Sequence, residues 1–418
     1  MPHTLQGAVP ALREAAPTKL AGRGFARLVR MMEQTAPPSA YVPGLEGIVA
    51  TRTAISKVAD GELIYRGYHI DELAGKAEYE EVAYLLLHGA LPDKAQLREF
   101  KAELVKHRGI SPLVRDLIKD MGESGTPMDV LRTVISATSL EDPAEGDNSA
   151  DADLRKAIRL TAKMPTVLAA YIRRRKGLQP IPPQPGLGHA ANFAHMALGD
   201  KAHPRAAEVL NACFILQAEH GLNASTFTAR VVSSTEADMH AAVSAALGAL
   251  KGAKHGGATD GTMRMLEEIG TPERADDWVA RAIENKLLIS GFGHRVYKTD
   301  DPREKHLRGF TEMLAKDWTG PKYFEIQEAV ALAVAEQRKT AKESVRSKLG
   351  VVNVDYYAAT TYTYLGISAD LGTSIFAVGR IAGWCAHIME QHANNRIIRP
   401  ESEYTGPTGK TWVPLAER

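Results

Sequence analysis

The chain has 418 residues, of which 44% are apolar and 24% charged, the composition of an ordinary globular protein long enough for two domains. Lys plus Arg number 51 against 50 for Asp plus Glu, a formal net charge of +1 that gives no electrostatic footprint for nucleic acid or a membrane surface. Cys213 and Cys385 lie far apart in apolar stretches, which argues for buried thiols in a reducing compartment and against a disulfide framework, and no apolar run reaches bilayer-spanning length.

Residues 1–40 stand apart, with five Arg or Lys, two Glu and scattered Ala and Pro. An Arg-rich, acid-poor start suits a mitochondrial transit peptide, whereas sparse Ser favours an arm that docks on another subunit. From about residue 43, GIVATRTAIS and ELIYRGY within 47–68 predict a small hairpin. The rest is helical in pattern. VAYLLLHGALP, DVLRTVISATSL, ADLRKAIRLTAKMPTVLAAYIRRRKG and RAAEVLNACFILQAEHG all carry apolar residues at three- and four-residue spacing. RRRK at 173–176 reads as a solvated helix end stopped by Gly177, and QPIPPQPG at 179–186 as a connection between helices. The expected class is all-α with a minor β element.

Five segments break the pattern: EHGLNAS (219–225), KHGGATDG (254–261), SGFGHRVYKTDDPREK (290–305), GVVNVDYYAATTYTYLG around Asp355, and the helix holding Arg380 followed by NNRIIRPESEYTG. Arg380 is flanked by apolar residues on nearly every helix face, so it needs an anionic partner, either a structural carboxylate or a ligand. A carboxylate at Asp355, between Val354 and two tyrosines, reads either as a helix N-cap or as a desolvated general base. His220, His255 and His294 suit a zinc site by number, but no H-x-x-x-H or H-E-x-x-H spacing occurs, and the glycines follow a helix, not the strand of a dinucleotide fold. Taken together with Arg295, Arg303, Arg380, Arg396 and Arg399, the set suits a small multi-carboxylate substrate. Its carbonyl would be polarised by His while Asp removes a proton.

In this order, HGLNAS, KHGGA, GFGHRVYKTDDPR, NVDYY and GRIAGWCAHIMEQ resemble the citrate synthase family, and the likeness runs from about residue 43 to the C-terminus. The resemblance implies a Si-type enzyme condensing acetyl-CoA with oxaloacetate, or alternatively a 2-methylcitrate synthase using propionyl-CoA, or one enzyme for both. It implies that His255 donates to the thioester oxygen, Asp355 removes the methyl proton, and His294 polarises the oxaloacetate carbonyl. His220, Arg303, Arg380 and Arg399 would hold oxaloacetate, Arg399 from the neighbouring subunit. Asn223 and Ser225 would lie behind them, with Ser225 fixing the state of His255. Gly291, Phe292, Gly293 and Arg295 would lie against CoA.

The same resemblance implies a large helical domain (41–259 and 366–418), a small mobile one (260–365), a homodimer, and neither metal nor cofactor; the basic, helix-prone composition of residues 1–40 adds a higher homo-oligomer as an alternative to the dimer. A cytoplasmic location follows unless residues 1–40 are a transit peptide. This chain departs from the family pattern at Tyr356–Ala358, beside the acyl pocket, and at Glu401, and residues 1–40 match nothing in the family. A binding protein that retains the pocket, or a zinc hydrolase, are the readings from other classes.

Overall fold

The computed structural model describes residues 41–122, 125–299, 301–341 and 349–418. The expected appendage at 1–40 lies outside the described residues. Residues 41–52 and 400–418 belong to one unit and Thr53–Arg399 forms another. In the first, a short turn at Pro43–Leu45 places Gly44 at φ 64°, and the Tyr404 hydroxyl donates to the Pro407 carbonyl at 2.9 Å.

The second unit begins with a three-stranded antiparallel sheet, β1 (Ser56–Ala59), β2 (Glu62–Tyr65) and β3 (Tyr68–His69). Ser56 pairs with Tyr65 and Ile64 with His69, and the turn between β1 and β2 is made by Asp60 and by Gly61 at φ 71°. The sheet is shorter at its start than the alternation near residue 47 predicts. Residues 48–55 carry no strand, and β1 begins only at Ser56.

The remainder is helical, and the helices start where capping side chains stand. After α1 (Ile70–Leu73) and α2 (Tyr79–His88), Asp93, Ser111 and Thr126 cap α3 (Lys94–His107), α4 (Pro112–Met121) and α5 (Pro127–Ala137). Helix α6 (Ala150–Arg175) ends in the basic run, with Gly177 at φ 69°, and the proline-rich stretch joins it to α7 (His189–Leu198) without regular structure. Next come α8 (Ala206–Gln217), α9 (Ala224–Ser233) capped by Asn223, and α10 (Met239–Leu250) capped by Asp238. Beyond them lie α11 (Ala258–Ile269), α12 (Ala275–Glu284), α13 (Glu304–Ala315), α14 (Tyr323–Thr340), α15 (Val354–Tyr364) and α16 (Gly372–Ala393). The fold is all-α with a minor β element. No helix of the described residues is long and apolar enough to cross a membrane.

Helix α16 is central, packing against α2, α6, α8, α9 and α10, with Ile375, Val378, Ile381, Trp384, Cys385 and Ile388 fully buried. Two of its glycines set how close it lies to α8. A Cβ at Gly379 would sit 2.9 Å from the Phe214 carbonyl oxygen, and one at Gly383 would collide with the Ala218 carbonyl. Bulkier residues would push Arg380 away from the end of α8. On the other side, α15 packs against α11 and α13, and α12 against α14.

Candidate active site

The close approach of α16 to α8 turns Arg380 onto the Gln217 carbonyl, which its Nε meets at 2.5 Å, and stacks the guanidinium over Phe376 with 4.6 Å to the ring centroid. Of the two partners the sequence leaves open for Arg380, the structural carboxylate is not found: among the described residues none lies within ion-pair distance of this 1%-exposed arginine. Burial brings its pKa down to about 10, with Glu219 the chief opposing influence. A buried guanidinium whose fork meets no carboxylate is suited to an anionic ligand.

His220 follows the end of α8 and is buried. Its Nε2 lies 3.1 Å from the Tyr297 hydroxyl, and its ring sits 5.1 Å from that of His294. Burial first, then the charges of Arg303, His294, Arg380 and His255, hold its pKa well below the usual value, so it is neutral. His294 is oriented by its own loop, since the backbone N–H groups of Val296 and Tyr297 both donate to Nδ1 at 3.0 Å. The ring proton is therefore on Nε2, which is left as a donor. Burial and Arg303 bring this imidazole down to about 4.

His255 stands five residues past the end of α10. Gly256 makes that position possible, because a Cβ there would collide with the Leu250 carbonyl and the Thr373 side chain. The Ser225 N–H is shared between Asn223 Oδ1 (3.1 Å) and His255 Nε2 (3.3 Å), and the Ser225 hydroxyl lies 2.8 Å from the same ring nitrogen. An N–H donor at Nε2 leaves the proton on Nδ1. Trp384 Nε1 donates to the Ser225 oxygen at 3.2 Å and so steadies it from α16. Burial, then Arg380, lowers His255 to about 4.

Asp355 is not the cap of α15. Asn353 holds that place, its Oδ1 accepting the Asp355 N–H at 3.1 Å, and Asp355 sits in the first turn. Sequence spacing missed this because two cap-competent residues, Asn353 and Asp355, stand on either side of one valine. Desolvation raises the Asp355 pKa to about 6 although Arg303 and Arg380 pull it down. The start of α15 is tied to the glycine loop: Gly293 N–H donates to Val351 O (2.8 Å), Asn353 N–H to Gly291 O (2.9 Å), and Asn353 Nδ2 to Gly293 O (3.1 Å). Phe292 stacks edge-on to Tyr356 at 4.9 Å. A side chain at Gly291, φ 82°, would strike Tyr356.

Arg303 is buried and held by Asp301 in a fork, Nε to Oδ1 at 2.9 Å and NH2 to Oδ2 at 2.8 Å. Burial opposes its charge, but Asp301 more than offsets this and keeps its pKa above the ordinary value. Sequence reasoning missed Asp301, whose signal was an acid two residues before the arginine. It also missed Tyr297, which contacts both His220 and His294 (rings 4.5 Å apart for the latter pair).

Glu219 was a third omission. It is wholly buried, and its Oε1 accepts from Ser56 Oγ (2.8 Å), the Gly221 N–H (2.5 Å) and His387 Nε2 (3.0 Å). Arg230 NH1 meets the other nitrogen of His387 at 2.9 Å, so His387 donates to Glu219.

The structure thus gathers His220, His255, His294, Asp355, Arg303 and Arg380, with Asn223 and Ser225 behind His255 and the loop of Gly291, Phe292 and Gly293 beside α15. Arg295 is exposed on that loop, and Arg399 is exposed beyond the end of α16. Among the described residues no group of three His, Cys, Asp or Glu side chains is placed to hold a metal ion. Neutral imidazole donors, arginines and one carboxylate that ionises near neutrality can bind a polyanion, polarise carbonyls and move a proton from carbon.

The family model for the citrate synthase C-terminal domain matches residues 44–401. The chain is similar to citrate synthase 2 of Bacillus subtilis, 44% identical over 90% of this chain and 98% of that one. It is also similar to 2-methylcitrate synthase of Mycobacterium tuberculosis, 40% identical over 87% and 90% respectively. Among solved structures, the ternary complex of carboxymethyl coenzyme A and oxaloacetate with citrate synthase from Thermoplasma acidophilum superposes with a TM-score of 0.84. There the identity is 30%, and 91% of this chain and 100% of that chain are covered.

Proposed function

The chain belongs to the citrate synthase family and is therefore an acyltransferase; from that premise we propose that its gathered side chains join acetyl-CoA to oxaloacetate with si-face stereochemistry. The observation that carries this reading is the meeting of two neutral imidazole donors, His255 and His294, with an Asp355 poised near pH 6 beside Arg303 and Arg380.

Arg303, Arg380 and His220 bind oxaloacetate, and Arg399 of the neighbouring subunit completes the grip in a homodimer. The Asp355 carboxylate takes a proton from the acetyl methyl group while His255 Nδ1–H donates to the thioester oxygen, which gives the enol. The enol carbon attacks the oxaloacetate carbonyl carbon, whose oxygen takes the His294 Nε2 proton to become the citryl hydroxyl; the enol O–H proton returns to His255 Nδ1 as the thioester carbonyl re-forms, and the proton held by Asp355 balances the one His294 gives. Hydrolysis of the resulting citryl-CoA then breaks the C–S bond and releases citrate and the CoA thiol. Charge develops on the two carbonyl oxygens, so donors aimed there before reaction are the main lever. These roles leave no step for a metal or a further cofactor.

We place His294, Arg303 and Asp355 in a mobile domain of residues 260–365, and His220, His255 and Arg380 in the larger remainder, so that closure completes the site and excludes water. Two buried free thiols, Cys213 and Cys385, support a cytoplasmic location.

Likeness to a 2-methylcitrate synthase favours propionyl-CoA as the second reading. One methylene in an apolar pocket is worth about 1–3 kcal/mol of discrimination. The test is thiol release with oxaloacetate present, with acetyl-CoA and propionyl-CoA compared as kcat/KM. A preference for acetyl-CoA is expected. A reversed preference moves the assignment to methylcitrate formation, and no thiol from either removes the activity.

A further inference from the structure

The segment carrying His294 and Arg303 is held from outside by two carboxylates of the N-terminal sheet region. Asp60, at the β1–β2 turn, accepts the backbone N–H groups of Lys298 (2.7 Å) and Thr299 (3.0 Å) on Oδ1 and the Thr299 hydroxyl (2.9 Å) on Oδ2. Asp71, in the first turn of α1, meets Lys305 Nζ and His306 Nε2 at 2.6 Å each, at the start of α13. Between these two grips lies the buried Asp301–Arg303 fork.

Lys298 extends the first grip inward. Its Nζ donates to the carbonyls of His294 (3.1 Å) and Arg295 (3.0 Å), so that one residue joins Asp60 to the backbone of the catalytic histidine.

The two kinds of bond differ in the way a reversible contact requires. Asp60, Lys298, Thr299 and Lys305 are exposed, so water can replace their hydrogen bonds at small net cost. The Asp301–Arg303 pair is buried, and breaking it would strand charges. Motion of the segment therefore releases the outer bonds and keeps the inner one.

We propose that Asp60 and Asp71 form a clasp that holds the loop of His294 and the start of α13 against the sheet while oxaloacetate is bound, and that opens to admit it. The clasp rests on the functional reading above. Neither carboxylate touches substrate; both are positioning residues.

The test pairs steady-state kinetics with hydrogen exchange on the full chain. In the native protein, saturating oxaloacetate slows exchange of the Lys298 and Thr299 amides. Asp60→Ala abolishes that slowing and raises the KM for oxaloacetate on the order of tenfold, while KM for acetyl-CoA and the melting temperature stay near native. Asp71→Asn raises the same KM by a smaller factor. An unchanged oxaloacetate KM in Asp60→Ala, or amides at 298 and 299 that exchange alike with and without oxaloacetate, overturns the clasp. Should Asp60→Ala unfold, Thr299→Val removes one bond of the three and carries the same comparison. Failure of the native chain to release thiol would sink the functional reading instead, a result separable from the exchange pattern.

Discussion

At the scale of single residues, protonation states carry the chemistry. His255 and His294 are each brought down to about 4, first by burial. Both stay neutral across the working range, as donation by one N–H requires. In the proposed mechanism, replacing His255 by Ala removes the donor to the thioester oxygen, and turnover measured by thiol release is expected to fall by about two to three orders of magnitude. Asp355 shifts the opposite way, to about 6, chiefly by desolvation. The native state therefore binds this proton more tightly than the unfolded chain does. Its penalty on stability is absent below pH about 3.8, grows up to pH about 6, and is full above. Asp355→Asn is expected to abolish turnover and yet raise the melting temperature at pH 7.5, with no gain at pH 3.5. A variant less stable than native at pH 7.5 would contradict the desolvated carboxylate.

At the scale of elements, the decisive contact joins the glycine loop to the start of α15. Through Gly291, Gly293, Val351 and Asn353 the loop that leads into His294 is stitched to the helix that bears Asp355. Asn353 does two tasks there, capping α15 and donating to Gly293. Asn353→Ala should cost about 1–2 kcal/mol of stability in denaturant unfolding, the usual worth of a cap. It should also lower kcat, because His294 and Asp355, which act together in the proposed mechanism, lose their shared support. A stability loss with kcat intact would separate the cap from catalysis. Sequence patterning located these elements well: the long helix α6, its basic end and the proline-rich connection stand where periodicity and breakers put them. It misplaced the first strand, since alternation near Ile48 signals an amphipathic face but not whether a neighbour exists to cover it.

At the scale of the whole molecule, the described chain leaves Arg399 exposed. Under the dimeric reading, each site takes this arginine from its neighbour. Arg399→Ala and His294→Ala are each expected to be nearly inactive as homodimers. Refolding them together forms mixed dimers in which one site has an intact His294 and an intact partner Arg399, and thiol release reappears. If the mixture is no more active than either parent, Arg399 does not act across subunits.

What the amino-acid order determined by itself was local or additive: helical class from periodicity, helix ends from Gly and Pro, and the unusual pattern-breaking segments that hold the chemistry. It also marked Arg380 and Asp355 as charges needing an explanation, because an apolar helix and an apolar run surround them in one dimension. Tertiary structure decided which explanation holds. Asn353, not Asp355, caps α15; Arg380 finds the Gln217 carbonyl and a ring face, with no carboxylate pairing it among the described residues; Arg303 is paired with Asp301; and Glu219 and Tyr297 join the site. The contacts of Arg380, His220 and Glu219 are distances between residues remote in the chain, and that of Arg380 with Gln217 is set by how closely α16 can approach α8 at Gly379 and Gly383. Desolvation and hydrogen-bond geometry depend on such distances, and neither is written in the spacing of residues along the sequence.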